Sequence, residues 1–250
     1  MSKRYQFATI IGASSGIGAA LARRLAAEGC RVALVARRAG ELEALCRELN
    51  EKAGQEIAVA AAHDVINRDE VPALFQQLTG QLGGLDVIFY AAGIMPKVAE
   101  DEYDTGKDAA MMEVNTLGAM AWLNAAAERF ERTKRGTIVG ISSIAGDRGR
   151  RGNPAYCTSK AALNTYLESL RNRLRRYGVG VVTIKPGFID TDMTRGMPGL
   201  FWLISADRAA ELILKATYAK RNTAYIPGRW RLVGMVIRSI PSFVFRRLGV

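Results

Sequence analysis

Short apolar runs rich in β-branched residues alternate along this chain with longer stretches whose apolar residues recur at helical spacing. The short runs predict seven buried strands, at 7–12, 31–37, 56–65, 85–93, 136–143, 178–187 and 223–228. The longer stretches predict helices at 17–29, 39–54, 68–82, 107–131, 155–177 and 206–219. Strands that alternate with helices form right-handed crossovers and a parallel sheet covered on both faces. The pattern therefore predicts an α/β fold, a doubly wound, Rossmann-like three-layer sandwich with a seven-stranded, mostly parallel sheet.

Composition places the chain among folded globular proteins, because 49% of its 250 residues are hydrophobic and 24% are charged. No repeat or linker interrupts it, so we expect a single domain over 1–250. Its three cysteines are widely spaced and imply neither a disulfide framework nor a metal site. We find no secretory signal and no run of about 20 apolar residues, and therefore expect a cytoplasmic protein.

The charge is unevenly distributed. The net charge is +11, and the chain after Glu211 holds eight basic residues and no acidic one, which favours an anionic partner. The last segment, 229–250, is apolar and basic and contains Pro241, so it is too short and too broken to span a bilayer. Two interpretations stay open for this segment: it packs on its own pocket or on a partner subunit, or it makes peripheral contact with a membrane. No recognised nucleic-acid-binding module is present, so we expect no nucleic-acid partner.

A glycine-rich turn follows the first predicted strand and opens the first predicted helix. The sequence there is "IIGASSGIG", with Gly12, Gly16 and Gly18 in G-x-x-x-G-x-G spacing. Glycine allows the backbone to turn tightly and to approach a pyrophosphate, whose charge then lies at the helix N-terminus. We interpret the turn as a dinucleotide-binding loop.

The end of the second predicted strand bears on the choice of cofactor. NAD-binding proteins usually carry an acidic residue about 20 residues past the glycines. Here Ala36 is followed by Arg37 and Arg38, and guanidinium groups suit the geometry of a 2′-phosphate. The hydroxyls of Ser14 and Ser15 would add donors, so NADP(H) is the predicted cofactor. The alternative is that the two arginines form an ordinary solvated turn.

Polar residues end two later strands and lie on two later helices. Asp64 ends the third and would accept a hydrogen bond from an adenine amino group. Ser143 ends the fifth, at the edge where α/β proteins bind ligands. Tyr156 lies thirteen residues further on and opens a predicted helix, with Lys160 four residues later on the same face. An ammonium group beside a phenol would lower the tyrosine pKa. Asn115 lies within the predicted helix 107–131.

In combination these motifs resemble the short-chain dehydrogenase/reductase family. The resemblance runs from about residue 7 to residue 228 and includes "AAG", the serine pair, "YCTSK" and "PGFIDT" in order. It implies that Tyr156 exchanges a proton with the substrate oxygen, that Ser143 hydrogen-bonds that oxygen, and that Lys160 binds the nicotinamide ribose. It also implies that Asn115 supports a water relay to Lys160. Cys157, Thr158 and Ser159 are interpreted as spacers on the helix.

The resemblance further implies that Pro186 and Gly187 shape a turn, that Ile189 and Thr191 contact the nicotinamide carboxamide, and that 192–204 is an apolar substrate lid. Core packing is the alternative for the apolar lid residues. The full set of predicted cofactor contacts is Gly12, Ser14, Ser15, Gly16, Ile17, Gly18, Arg37, Arg38, Asp64, Val65, Ala92, Gly93, Tyr156, Lys160, Pro186, Gly187, Ile189 and Thr191.

The predicted activity is hydride transfer between NADP(H) and a carbonyl or secondary alcohol, on an apolar or lipid-like ketone. The alternative is a catalytically silent NADP(H)-binding regulatory or scaffold protein. By the same resemblance we expect a homodimer or homotetramer packed through the helices around 107–131 and 155–177.

Overall fold

A computed structural model describes residues 5–248. Its strands are β1 (Phe7–Ile11), β2 (Arg31–Ala36), β3 (Ala58–Ala62), β4 (Val87–Tyr90), β5 (Thr137–Ile141), β6 (Gly180–Pro186), β7 (Ile189–Asp190), β8 (Ile204–Ser205) and β9 (Thr223–Ile226). Its α-helices are α1 (Gly16–Ala27), α2 (Ala39–Ala53), α3 (Val71–Leu82), α4 (Thr105–Met112), α5 (Gly118–Thr133), α6 (Pro154–Leu174), α7 (Ala206–Tyr218), α8 (Trp230–Ser239) and α9 (Ser242–Phe245).

The main sheet contains seven strands in the order β3-β2-β1-β4-β5-β6-β9. Every neighbouring pair in it is parallel. The chain thus starts at β1 in the middle, winds to one edge, and returns to build the other half from β4 onward. This confirms the predicted Rossmann-like fold, and all seven predicted strands are present with shorter ends.

Both faces of the sheet are covered because successive side chains on a strand point to opposite faces. Ile10 of β1 faces a core built with α1, α2 and α7, which includes Leu25 and Ile213. The next residue, Ile11, faces a second core with α3, α5 and α6, which includes Trp122 and Leu167. These two cores make the three layers and leave the carboxyl ends of the strands open along one edge.

The predicted helix 107–131 is one helical stretch with an irregularity at its centre. Between α4 and α5, Glu113–Leu117 form a π-helical turn, and Asn115 lies at its middle. Such a turn inserts an extra residue and changes the direction in which its side chains point.

The segment after β9 folds back onto the body of the protein as α8 and α9, and Trp230 at its start is buried. Of the two interpretations of 229–250, packing on its own chain therefore holds for its inner side. Residues 249 and 250 lie outside the described residues. Within 5–248, no helix combines the length and the apolar character needed to cross a bilayer.

Candidate active site

The glycine-rich turn brings two backbone segments into direct contact. Gly12 has φ +90°, and a Cβ there would lie 2.4 Å from the backbone nitrogen of Ala92. A Cβ on Gly18 would lie 2.1 Å from the carbonyl oxygen of Gly12. Ser15 is the N-cap residue of α1, and its side chain makes no capping hydrogen bond. The first N–H groups of α1 therefore point out of the turn and form the kind of helix N-terminus that binds phosphate.

Arg38 lies across this helix terminus. Its Nη2 donates hydrogen bonds to Ser14 Oγ at 2.9 Å and to Ser15 Oγ at 2.7 Å. Arg37 is directed elsewhere, with its guanidinium 3.7 Å from the carboxylate of Asp64. The two predicted arginines therefore differ in position: Arg38 adjoins the glycine-rich turn, and Arg37 adjoins the residue predicted to contact adenine.

The strand edge continues with Asp64, which follows β3. Its Oδ1 accepts a hydrogen bond from the Ile66 N–H at 3.2 Å, so the side chain is held by its own loop. Val65 is buried between them and contacts Gly118, where a Cβ would lie 2.9 Å from the Val65 Cβ.

Tyr156 and Lys160 lie in the first two turns of α6. The helix starts here because Pro154 occupies its first position and Asn153 caps it, with Asn153 Oδ1 accepting from the Tyr156 N–H at 3.1 Å. Both side chains are buried, and Lys160 Nζ donates to the carbonyl of Ile141, the last residue of β5, at 3.1 Å. The lysine is thereby anchored to the sheet edge.

The π-helical turn directs Asn115 to the same place. Its Oδ1 accepts from the Ile94 N–H at 2.8 Å, and its Nδ2 donates to the Ile94 carbonyl and to Ser159 Oγ, both at 3.0 Å. A Cβ on Gly93 would lie 3.3 Å from Asn115 Oδ1 and 3.4 Å from Lys160 Nζ. The amide and the ammonium thus adjoin the same glycine, and that space exists because residue 93 has no side chain.

Ser159 is not the spacer that the sequence suggested. It is fully buried, donates to the Tyr156 carbonyl at 2.8 Å, and accepts from Asn115. Its hydroxyl therefore joins α6 to the π-helical turn. A hydroxyl three residues after Tyr156, on the inner face of the helix, was the signal available in the sequence.

The serine pair ends β5 with two different contacts. Ser142 is buried and donates to the Lys160 carbonyl at 3.1 Å. Ser143 is half-buried, caps the short 3₁₀ turn Ile144–Asp147, and accepts from the Ala145 N–H at 3.0 Å. Its hydroxyl is also near enough to the Tyr156 hydroxyl to act on the pKa of that phenol, which it lowers. Ser143 and Tyr156 can therefore contact one substrate oxygen together.

Burial has the largest effect on the pKa values of Tyr156 and Lys160. It raises the pKa of Tyr156 to about 12, although the interaction with the Ser143 hydroxyl acts in the opposite direction. Burial also lowers the pKa of Lys160 to about 8. The expected lowering of the tyrosine pKa by Lys160 is wrong for this structure, because Lys160 Nζ lies 5.7 Å from the phenol ring centroid and bonds to Ile141 instead. Burial thus shifts both equilibria toward the neutral forms, although Lys160 with a pKa of about 8 still carries its charge at pH 7.

The segment after β6 faces the glycine-rich turn. A Cβ on Gly16 would lie 3.1 Å from Thr191 Cγ2, and Ile189 is buried beside it in the strand β7. Pro186 ends β6, and Gly187 packs face-on against Trp230, with a Cβ there only 2.0 Å from the indole. The predicted turn at 186–187 thus also seats the start of α8.

The predicted lid at 192–204 is a loop held at both ends, because β7 and β8 pair in parallel at its base. Phe201 stacks near Trp230 with ring centroids 5.0 Å apart, and Trp202 lies 5.6 Å from the same ring. Phe201, Trp202 and Leu203 are nevertheless exposed on their outer sides. Core packing therefore accounts for one side of these residues and leaves the other free.

One buried polar cluster was not anticipated. Asp147, at the end of the turn that Ser143 begins, forms an ion pair with Lys185 of β6 and accepts from the Tyr225 hydroxyl at 2.7 Å. The side chains of Asp147 and Lys185 are only 2% and 11% exposed. Gly234 of α8 covers them, since a Cβ there would lie 2.8 Å from Asp147 Oδ2. Nothing in the sequence distinguishes Asp147 from an exposed loop aspartate.

These residues fit a nicotinamide dinucleotide. Gly12 and Gly18 let the turn pack backbone against backbone before α1, whose first N–H groups the Ser15 side chain leaves uncapped and able to bind a pyrophosphate. Lys160 Nζ lies next to Gly93 and can donate to ribose hydroxyls. Within residues 5–248, no group of three or more His, Cys, Asp or Glu side chains is placed to hold a metal ion.

A doubly wound parallel sheet with serine, tyrosine and lysine at its carboxyl edge defines a class of dinucleotide-dependent α/β oxidoreductases. Residues 6–198 match the short chain dehydrogenase family, and the chain belongs to that family. Its members use NAD or NADP and act on small molecules.

Three known proteins illustrate the relationship. An uncharacterized oxidoreductase of Myxococcus xanthus is 36% identical over 230 residues, which cover 91% of this chain and 89% of that protein. An uncharacterized oxidoreductase of Mycobacterium tuberculosis is 31% identical over 243 residues, which cover 96% of each chain. The solved structure of a short-chain type dehydrogenase/reductase from Mycobacterium ulcerans superposes with a TM-score of 0.80 at 24% identity, covering 88% of this chain and 87% of that one.

Proposed function

We propose that this oxidoreductase transfers hydride between NADP(H) and a carbonyl or secondary alcohol, as an NADPH-dependent carbonyl reductase or in the reverse direction. The observation that carries the proposal is the convergence of Ser143, Tyr156 and Lys160 at the end of β5. The Ala145 N–H bonds to the Ser143 hydroxyl, Lys160 Nζ bonds to the Ile141 carbonyl, and Tyr156 is held by its burial in α6.

A bound nicotinamide would supply the hydride that reduces the carbonyl carbon, and residues of this chain would supply the proton and hold the oxygen. The Tyr156 hydroxyl donates its proton to the carbonyl oxygen, and Ser143 donates a hydrogen bond to the same oxygen as negative charge develops there. At neutral pH the phenol of Tyr156 is protonated, which is the form that this direction requires. Lys160 holds the cofactor ribose, and Asn115, adjoining Gly93, lies where a water would connect it to Lys160.

The preference for NADP(H) rests on Arg38. Its guanidinium bonds to both Ser14 and Ser15, adjoins the N-terminus of α1 and lies 3.7 Å from the Glu41 carboxylate, so a cation lies beside the turn. No carboxylate follows β2 directly to oppose a 2′-phosphate, because Ala36 ends that strand. Asp64 and Val65 lie beyond, where the adenine would bind.

The substrate class is inferred from the lid. The lid residues Met193, Met197, Phe201, Trp202 and Leu203 expose apolar surface. An apolar or lipid-like ketone would bury that surface, and a small polar one would not. We further expect a cytoplasmic homodimer or homotetramer that forms through α4, α5 and α6, and a single domain over the whole chain.

The test is NADPH oxidation, followed by absorbance, across ketones of increasing chain length. We expect turnover that rises with chain length and is lost in Tyr156→Phe. Tyr166→Phe is the matched control, because Tyr166 lies on the same helix but donates to Asn124 on the protein's outer side. Equal rates in Tyr156→Phe and wild type would refute the catalytic assignment. Cofactor binding without turnover on any ketone would favour the silent, regulatory or scaffold alternative.

A further inference from the structure

The outward face of α8 is apolar. Trp230 and Gly234 face the protein and are buried, whereas Leu232, Met235 and Val236, at positions i, i+3 and i+4, face away from it. Leu232 is 66% exposed and Val236 61%. A surface helix of an ordinary globular protein places polar residues on this side.

This helix is firmly seated, so its apolar face is not a consequence of a frayed end. Arg148, next to the Asp147 cluster, donates to the Ile237 carbonyl of α8 at 2.7 Å. The same guanidinium lies 4.0 Å from the ring of Phe245 in α9. The loop that follows Ser143 thus holds both tail helices in fixed positions.

The apolar face continues onto the lid. Phe201 and Trp202 contact Trp230 at the start of α8, and their outer sides are exposed together with Leu203. Arg229 lies 4.8 Å from the Trp202 ring and donates to its carbonyl at 3.3 Å. The lid and the tail therefore present one surface, which we call the tail–lid face: residues 201–203 and the exposed residues of 229–248.

The charge on the tail–lid face has a single sign. Its charged residues are Arg229, Arg231, Arg238, Arg246 and Arg247. In the part of the chain that the structure describes, none of these five arginines pairs with a carboxylate. Apolar residues flanked by unpaired arginines are the composition of helices that lie in the interface of an anionic bilayer.

A second copy of the chain is a poorer occupant of this face. A two-fold interface would place the same patch of one copy against that of the other. It would therefore oppose arginines with arginines, and like charges across an interface are unfavourable. An anionic bilayer instead complements the charge and accepts the apolar side chains.

We propose that the tail–lid face docks this protein on the surface of anionic membranes. Leu232, Met235 and Val236 enter the boundary between headgroups and acyl chains, and the arginines contact lipid phosphates. Docking would place the lid against the bilayer. The inference does not depend on the reaction proposed above, because vesicle binding is measured without turnover.

The first test is co-sedimentation of the full-length protein with phosphatidylcholine vesicles, with and without phosphatidylglycerol. We expect binding that requires phosphatidylglycerol and weakens with salt. At about 1 kcal/mol per basic residue near the surface, Arg246→Gln/Arg247→Gln should weaken binding roughly thirtyfold. Arg132→Gln/Arg135→Gln removes the same charge at the opposite edge of the sheet, before β5, and should change binding little.

The second test replaces the apolar residues. Leu232→Ser/Val236→Ser should abolish binding without lowering the thermal stability, because both side chains already face solvent. Ile66→Ser/Tyr103→Ser is the control, since these exposed apolar residues lie outside the tail–lid face. Equal binding to vesicles with and without phosphatidylglycerol, or unchanged binding in the tail variants, would overturn the proposal. The proposal would also be overturned if the wild type did not bind vesicles but self-associated, and if Leu232→Ser/Val236→Ser abolished that self-association.

A third measurement locates the lid. Of the three tryptophans, Trp122 and Trp230 are buried and Trp202 is exposed. Brominated phosphatidylglycerol should therefore quench fluorescence in the wild type and much less in Trp202→Phe. If the wild type bound vesicles without any quenching of its fluorescence, the lid would not be part of the docking surface.

Discussion

The buried ion pair between Asp147 and Lys185 makes the most direct prediction about stability. With side chains only 2% and 11% exposed, each charge depends on the other for compensation. Burial and the hydrogen bond to Asp147 raise the pKa of Tyr225, so its phenol stays protonated and donates to the carboxylate. The cluster joins the turn after Ser143 to β6, β9 and α8.

Asp147→Asn removes the negative charge and keeps an oxygen that can accept from Tyr225. Lys185 is then a buried cation without a partner, and removing one member of a buried pair typically costs about 3–5 kcal/mol. In urea unfolding, this loss should lower the midpoint by about 1 M or more. Asp192→Asn breaks an exposed pair with Arg195, whose side chains are 54% and 79% exposed, and should cost under about 1 kcal/mol.

The double variant Asp147→Asn/Lys185→Met separates the charge effect from general disruption. Replacing the lysine with an apolar side chain of similar length removes the uncompensated charge, so most of the lost stability should return. Two results would refute this reasoning. One is an equal shift in Asp147→Asn and Asp192→Asn, and the other is a double variant that is no more stable than Asp147→Asn.

Three further outcomes are expected. Arg38→Gln should weaken NADPH binding roughly ten- to hundredfold, because charge-assisted hydrogen bonds are lost. In titration calorimetry, NADH binding by this variant and NADPH binding by the control Arg47→Gln should be nearly unchanged. Equal losses of affinity for both cofactors would contradict the prediction. Burial lowers the pKa of Lys160 from 10.5 to about 8, so the unfolded chain binds one more proton than the folded chain between these pH values. The free energy of unfolding should therefore rise with pH across that window by about 3 kcal/mol relative to Lys160→Met. Parallel curves of urea stability against pH for the two proteins would count against it. Trp230→Ala should cost about 3–5 kcal/mol and release lid and tail to proteolysis, while Trp230→Phe retains most of the packing; a protease-resistant Trp230→Ala would show that the indole does not seat them.

Much of the fold could be predicted because its signals are local. A β-branched run such as 7–12 can be buried on both sides only in a covered parallel sheet, and that requirement is visible in the composition of the run. The start of α6 is likewise local, since Asn153 and Pro154 specify it within two residues. The π-helical turn at Asn115 is different, because hydrogen bonds to Ile94 and Ser159, which are distant in sequence, stabilise it. No local sequence pattern therefore predicts it.

The candidate site divides in the same way. Gly12, Gly16, Gly18, Tyr156 and Lys160 are identifiable because their spacing alone places them on a turn or on one helix face. The pKa of Tyr156 could not be predicted from spacing, because it depends on burial and on where Lys160 Nζ finds its acceptor.

The sequence by itself therefore determined the sheet, the glycine-rich turn and the placement of Tyr156 and Lys160 on one helix face, because periodicity and short-range spacing encode all three. Only the tertiary structure decided which arginine adjoins the turn, that Asp147 and Lys185 form a buried pair, and which side of the tail faces outward. Those features join residues far apart along the chain, from Arg38 with Ser14 to Asp147 with Tyr225. Contacts of this kind leave no periodic trace, since each depends on where the folded sheet brings two separate segments together.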